Sequence, residues 1–246
     1  MNQVAIQAHD LHKQFQHHQV LRGVNLSFPH GKITALLGAN GAGKTTFLQI
    51  CCGLISRTSG KLQVLGLDPQ VDHFKLKKRI GLLFGNETGL YDRLTAYENI
   101  TYFADLYGIP KKIQEQRIQE WSKRLKLTPY LHKRAGELSK GNRQKVVIIK
   151  TIIHDPELIF FDEPTTGLDI EASLSFQELV QELQQRGKTI VFSTHILEEV
   201  TNIASHVVIL NRGLIHFQGT LEDLYQKSNS NQLQEIIRGV IGGHTA

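Results

Sequence analysis

Between Val4 and Phe28 apolar and polar residues alternate twice, in Val4-Ala5-Ile6 and again from Val20-Leu21 through Val24-Asn25-Leu26-Ser27-Phe28, which predicts two strands of an antiparallel β element. Pro29-His30-Gly31-Lys32 then turns the chain into Ile33-Thr34-Ala35-Leu36-Leu37, an apolar run of the kind a buried strand makes. Further strand patterns stand at Leu62-Gln63-Val64-Leu65, Arg79-Ile80-Gly81-Leu82-Leu83-Phe84, Leu158-Ile159-Phe160-Phe161 and Thr189-Ile190-Val191-Phe192-Ser193-Thr194. Val207-Val208-Ile209-Leu210 and Leu214-Ile215-His216-Phe217, joined by Asn211-Arg212-Gly213, predict a hairpin. Helical spacing takes over in between. Thr95-Ala96-Tyr97-Glu98 is a capping box opening a helix that ends near Gly108 and Pro110, and residues 113–125, with Trp121, continue at helical spacing. Residues from about 86 to 138 therefore form a helical insertion between strands of an α/β core. An amphipathic helix over 171–186 stops at Gly187, and the tail from about 228 to 246 is weakly structured apart from a short helix through Gln234-Glu235-Ile236-Ile237.

The chemistry starts where the run Ile33-Thr34-Ala35-Leu36-Leu37 ends. Gly38-Ala39-Asn40-Gly41-Ala42-Gly43-Lys44-Thr45-Thr46 fits the phosphate-binding loop, between a strand and the helix that begins with Phe47-Leu48-Gln49-Ile50. Glycines let the backbone bend around an anion and turn N–H groups towards it at the positive end of a helix. Lys44 is then placed to reach the β- and γ-phosphates, and the Thr45 hydroxyl to ligate Mg²⁺. Leu158-Ile159-Phe160-Phe161 delivers Asp162 and Glu163 to a strand end, where parallel α/β sheets bind ligands. Asp162 suits Mg²⁺ and Glu163 suits activation of water; without the phosphate loop the pair would be read as a cap on the next element. His195 ends a buried strand at the same sheet edge, within reach of a γ-phosphate. Ser139, a predicted N-cap, and Gly141, with its bare amide, make either a second anion site or merely a capped helix. Phe15 reads as core, with stacking on a base as the alternative.

Composition narrows the picture. The 246 residues, 40% hydrophobic, are enough for one large domain, read as 1–246, and no apolar run reaches the roughly 20 residues of a membrane span. The start resembles no signal peptide, so a cytosolic chain is expected. Cys51 and Cys52, adjacent on the phosphate-loop helix, read as core packing. A net charge of +5 permits an anionic partner, but the basic run Lys75-Leu76-Lys77-Lys78-Arg79 reads as a solvated helix face. Among the twelve histidines, His9, His12, His17 and His18 lack companions at metal-ligand spacing.

Taken in order, these stretches resemble the ATP-binding cassette of ABC transporters over nearly the whole chain. Gly38 to Thr46 resembles Walker A, Leu138-Ser139-Lys140-Gly141-Asn142 the signature usually written LSGGQ, and Leu158 to Glu163 Walker B. Gly167-Leu168-Asp169 looks like the D-loop and His195 like the switch histidine, while Phe15 falls where the family has an adenine-stacking aromatic. The signature carries Lys140 and Asn142 where the consensus has glycine and glutamine, and Asn86 or Glu87 stands in for the usual Q-loop glutamine. Residues 89–99 and 140–144 look closest to the Nat-type sodium and drug exporter branch. The resemblance implies a P-loop NTPase core, ATP and Mg²⁺ as ligands, and catalysis by Glu163, His195 and Lys44. It also implies a head-to-tail cassette dimer, an integral membrane permease as partner and a place on the cytoplasmic face of the membrane. Nucleic acid is not an expected partner; the alternative is a soluble cassette ATPase acting on ribosomes or DNA.

Overall fold

A computed structural model describes residues 4–84, 89–166, 170–227 and 233–242. Its strands are β1 (Val4–Phe15), β2 (His18–Pro29), β3 (Ile33–Leu37), β4 (Ser59–Val64), β5 (Ile80–Phe84), β6 (Leu158–Asp162), β7 (Thr189–Thr194), β8 (His206–Asn211) and β9 (Leu214–Thr220). The helices are α1 (Lys44–Cys51), α2 (His73–Lys77), α3 (Ala96–Leu106), α4 (Lys111–Arg124), α5 (Lys140–Ile152), α6 (Ile170–Gln185), α7 (Leu197–Ile203), α8 (Leu221–Gln226) and α9 (Leu233–Gly242).

The central sheet has the order β5-β6-β7-β3-β8-β9, parallel except for β9, which returns as the predicted hairpin. Strands β3, β6 and β7 are buried at every residue, as helices or strands on both faces require. Period-two alternation divides them between two cores. Ile33, Ala35, Leu37, Phe161 and Phe192 face the layer with α3 to α7, whereas Leu36, Phe160 and Val191 face α1 and the antiparallel sheet β2-β1-β4. Cys51 and Cys52 are wholly buried in the second layer, and burial holds both thiols well above the usual range. The capping box of α3 is formed in full, Thr95 accepting from Glu98 N–H and the Glu98 carboxylate from Thr95 N–H. On α2 only Leu76 is buried, so the basic run is a solvated face whose last member, Arg79, pairs with Glu157 at 2.7 Å. The helix expected through Gln234-Glu235-Ile236-Ile237 runs from Leu233 to Gly242 and packs Leu233 and Ile236 on the core.

His154 joins the helical insertion to the sheet. Its ring lies flat on Tyr107 beyond the end of α3, with centroids 3.8 Å apart, and its Nε2–H donates to the Ile80 carbonyl at 2.9 Å. The other nitrogen, Nδ1, is buried without a partner among the described residues. Burial is the largest influence on the ring; with the charges of Arg117 and Lys188, and against the Ile80 bond and the charge of Asp155, it lowers the pKa to about 4. The unfolded chain takes up that proton near pH 6.5, so stability is complete above about 6.5 and falls as the pH drops towards about 4. His154→Phe keeps a ring on Tyr107 and removes the titration. In urea denaturation, wild type should lose about 2 kcal/mol more than this variant between about pH 7 and about pH 4.5; equal losses would remove His154 as the source.

Candidate functional site

The loop between β3 and α1 owes its shape to three glycines. At Gly38 a Cβ would come within 2.2 Å of the Leu210 carbonyl, so only glycine lets β3 leave the sheet beside β8. Gly41 and Gly43 have φ of +78° and +106°, and a Cβ at Gly43 would also press on Leu21 Cδ2 at 3.0 Å and the Val20 carbonyl at 3.3 Å. No side chain caps α1, which leaves its first amides directed at the loop interior. Inside sits the Lys44 amine, 4% exposed, donating to the carbonyls of Gly38 at 2.8 Å and Ala39 at 3.2 Å.

Strand β6 brings the carboxylates to this loop. Thr45 Oγ1 donates to Asp162 Oδ2 at 2.7 Å, and Glu163 Oε1 stands 3.5 Å from the Lys44 amine. Glu163 adopts φ +49°, an uncommon conformation for a residue with a side chain. It is held there from β7: the Glu163 N–H donates to Ser193 Oγ at 3.0 Å, and the same hydroxyl donates to Asp162 Oδ1. His195, just beyond β7, places Nδ1 at 3.6 Å from Glu163 Oε1. The result is a cleft of about 600 Å³, lined by His18, Val20, Asn40, Gly41, Ala42, Gly43, Lys44, Thr45, Thr46, Asp162 and Glu163. A buried cation, unshielded amides and two adjacent hard oxygens, Thr45 Oγ1 and Asp162 Oδ2, are the donor set that a polyphosphate with a divalent cation needs.

A family model described as ABC transporter matches residues 21–166. The chain belongs to that family, as an ATP-binding subunit. It is 44% identical to the ABC transporter ATP-binding protein NatA of Bacillus subtilis, over 90% of this chain and 92% of that protein. An uncharacterized ABC transporter ATP-binding protein of Methanocaldococcus jannaschii is 36% identical over 90% of this chain and 80% of its own length. Among solved structures, an ATP-binding subunit of an ABC transporter superposes with a TM-score of 0.88 at 28% identity, covering 96% of this chain and 99% of that one. Another, cbiO1 of Clostridium perfringens, part of the complex cbiONQ, superposes at 0.82 with 25% identity, covering 98% and 95%.

Against the family frame, the residues singled out from sequence fall into two groups. Residues 40–46 of Walker A and Asp162 and Glu163 of Walker B converge on the one cleft, whereas Gly38, Ala39 and His195 line a neighbouring pocket with Leu197 and Arg238. Ser139 and Gly141 line neither, although both keep the form expected of them. Ser139 caps α5, accepting from Asn142 N–H at 3.3 Å, and a Cβ at Gly141 would meet nothing within 4 Å. Phe15 corrects the core reading: it is 45% exposed, at the end of the β1–β2 hairpin opposite His18, with the Lys13 amine 4.4 Å from the ring centroid. Asn86, Glu87, Gly167, Leu168 and Asp169 lie outside the described residues. Sequence reasoning missed His18 and Val20, whose place in the cleft depends on β2 folding over the loop. It also missed Ser193, for which the one available signal was a hydroxyl at the polar end of an apolar strand.

Proposed function

We propose that this ABC subunit hydrolyses ATP to power a separate membrane-spanning exporter from the cytoplasmic face of the membrane. The reading is carried by the convergence of Lys44, Thr45, Asp162 and Glu163 on one cleft, with Thr45 and Asp162 in direct contact and Glu163 beside the buried amine. The amides of Gly43, Lys44 and Thr45 receive the phosphates, while the Ala42 N–H is taken by the Ala39 carbonyl at 3.1 Å, and Lys44 exchanges its carbonyl partners for the β- and γ-phosphate oxygens. Thr45 and Asp162 are the groups that would hold Mg²⁺, which supplies charge neutralisation on the phosphates. Glu163 orients the attacking water and accepts its proton, and His195 steadies the γ-phosphate side of Glu163. Phe15, exposed at the end of the β1–β2 hairpin opposite the cleft-lining His18, stacks on adenine.

Among the described residues the site is open on one side, and Ser139 with Gly141, read as a second anion-binding element, stands at the start of α5 outside the cleft. In a head-to-tail pair each copy's signature closes the other's ATP, so binding joins the cassettes and hydrolysis releases them. Among the described residues no helix is long and apolar enough to cross a membrane. The membrane path in this reading therefore belongs to a permease subunit. Export is read from the likeness to the Nat-type branch; a relative named as a probable multidrug ABC transporter ATP-binding protein, from Escherichia coli, is 30% identical over 94% of this chain but only 39% of its own length.

The test is co-expression with candidate membrane subunits, followed by ATPase measurements in vesicles. A stable complex whose ATPase responds to transported solute is expected. Stimulation by RNA or DNA instead, with no membrane partner retained, would assign the protein to the soluble cassette ATPases.

A further inference from the structure

Glu199 is a carboxylate almost wholly withdrawn from water, 5% exposed, and no step above uses it. It sits in the first turn of α7, and its two oxygens serve two different segments. Thr165 Oγ1 donates to Oε1, and Thr194 Oγ1 donates to Oε2 at 2.6 Å. Both threonines are themselves buried. Thr194 immediately precedes His195, and its hydroxyl also accepts from the Ile196 N–H at 3.0 Å, so the backbone is fastened on both sides of His195. Thr165 lies two residues past Glu163, in the turn that Glu163 opens with its positive φ. One side chain thus clamps the segment carrying Glu163 to the segment carrying His195, whose facing atoms stand 3.6 Å apart.

Packing alone does not call for a carboxylate at this place. An apolar side chain of similar volume would hold α7 without the desolvation cost of a buried acid. A carboxylate adds direction, because two charge-assisted acceptors select one orientation for each threonine and so one separation for the segments they anchor. We propose that Glu199 is a positioning residue that sets the mutual placement of Glu163 and His195, and with it the turnover rate, without touching ATP.

The inference rests on the assignment of Glu163 and His195 to the reacting end of ATP. Turnover, ATP affinity and Tm would be measured for the purified subunit carrying Glu199→Leu, Glu199→Gln, Thr165→Val or Thr194→Val. Glu199→Leu should lower kcat on the order of 10-fold or more, as misplacement of reacting groups does, with KM changed by less than about twofold. Glu199→Gln, which keeps hydrogen-bonding capacity, should recover part of the loss. In a His195→Ala background, Glu199→Leu should add less than about twofold, because the pair it positions is already broken. A folded Glu199→Leu with wild-type kcat overturns the proposal, as does an equal effect in both backgrounds or a joint fall of kcat, ATP affinity and Tm. If Glu199→Leu does not fold, the two valine variants each remove one arm, and wild-type kcat in both overturns it equally. Glu163→Gln run in parallel separates the layers. Full turnover there withdraws the underlying assignment, whereas an inactive Glu163→Gln beside a fully active Glu199→Leu overturns the role of Glu199 alone.

Discussion

Glu163→Gln is expected to bind ATP with an affinity within about threefold of wild type while losing about 10²- to 10⁴-fold in turnover, the range lost with a general base. The substitution keeps the size of the side chain and removes the proton acceptor. Nothing else that holds the nucleotide changes: the glycine turns, the Lys44 amine and the Thr45–Asp162 contact are made without the Glu163 side chain. Lys44 loses an anionic neighbour at 3.5 Å but retains the carbonyls of Gly38 and Ala39 until phosphate arrives. Backbone strain at Glu163 is little altered, since φ +49° is held through its N–H by Ser193, and the long 3.4 Å bond its carboxylate accepts from Thr166 Oγ1 can pass to the amide oxygen of glutamine. With hydrolysis blocked and binding intact, the proposed ATP-joined pair would have no route apart. Size-exclusion chromatography with ATP and Mg²⁺ should show the variant accumulating as a dimer while wild type remains mostly monomeric. Hydrolysis by the variant at the wild-type rate would remove Glu163 from the role of base.

How far such a site is legible without coordinates depends on the distance over which its contacts act. Walker A was readable because anion binding demands fixed residue types within nine consecutive positions, and β3 because every residue of it is buried. The alternation marks only Val4-Ala5-Ile6 of the first strand, which extends to Phe15. Its pairing with β2 shifts register between Ala8 and Leu11, where Asp10 takes φ +47°, so Ala8 and Leu11 both point into the core although three apart. That irregularity erases the period-two signal. Phe15 misled for a different reason: an apolar side chain declares a preference for burial, not the face on which the hairpin leaves it. The supports of the site were illegible altogether. Ser193 meets Asp162 across 31 residues and Glu199 meets Thr165 across 34, and serine, threonine and glutamate are too common for either pairing to be inferred from type.

The second large effect is expected at a residue that does not line the nucleotide cleft. Ser139→Arg should leave ATP binding to the isolated subunit within about threefold of wild type and reduce turnover on the order of 10²-fold or more, the loss typical of one charge-stabilising donor. Ser139 is exposed at the start of α5, so an arginine there has room and requires no repacking. It does sacrifice an N-cap, since Ser139 Oγ accepts from Asn142 N–H, and cap loss costs about 1 kcal/mol. Fraying of α5 also threatens the Walker B turn indirectly, because Gln144 in the same helix donates to the Pro164 carbonyl at 3.0 Å. Ser139→Asp distinguishes the two causes. Aspartate caps a helix as well as serine does, yet it opposes a phosphate approaching from the partner. If the signature completes the partner's site, Ser139→Asp loses turnover although α5 stays capped, and ATP affinity of the monomer is preserved in both variants. If capping alone matters, Ser139→Asp turns over like wild type. Loss of ATP binding in monomeric Ser139→Arg would show instead that the signature serves its own chain's nucleotide, and the head-to-tail arrangement would fail with it.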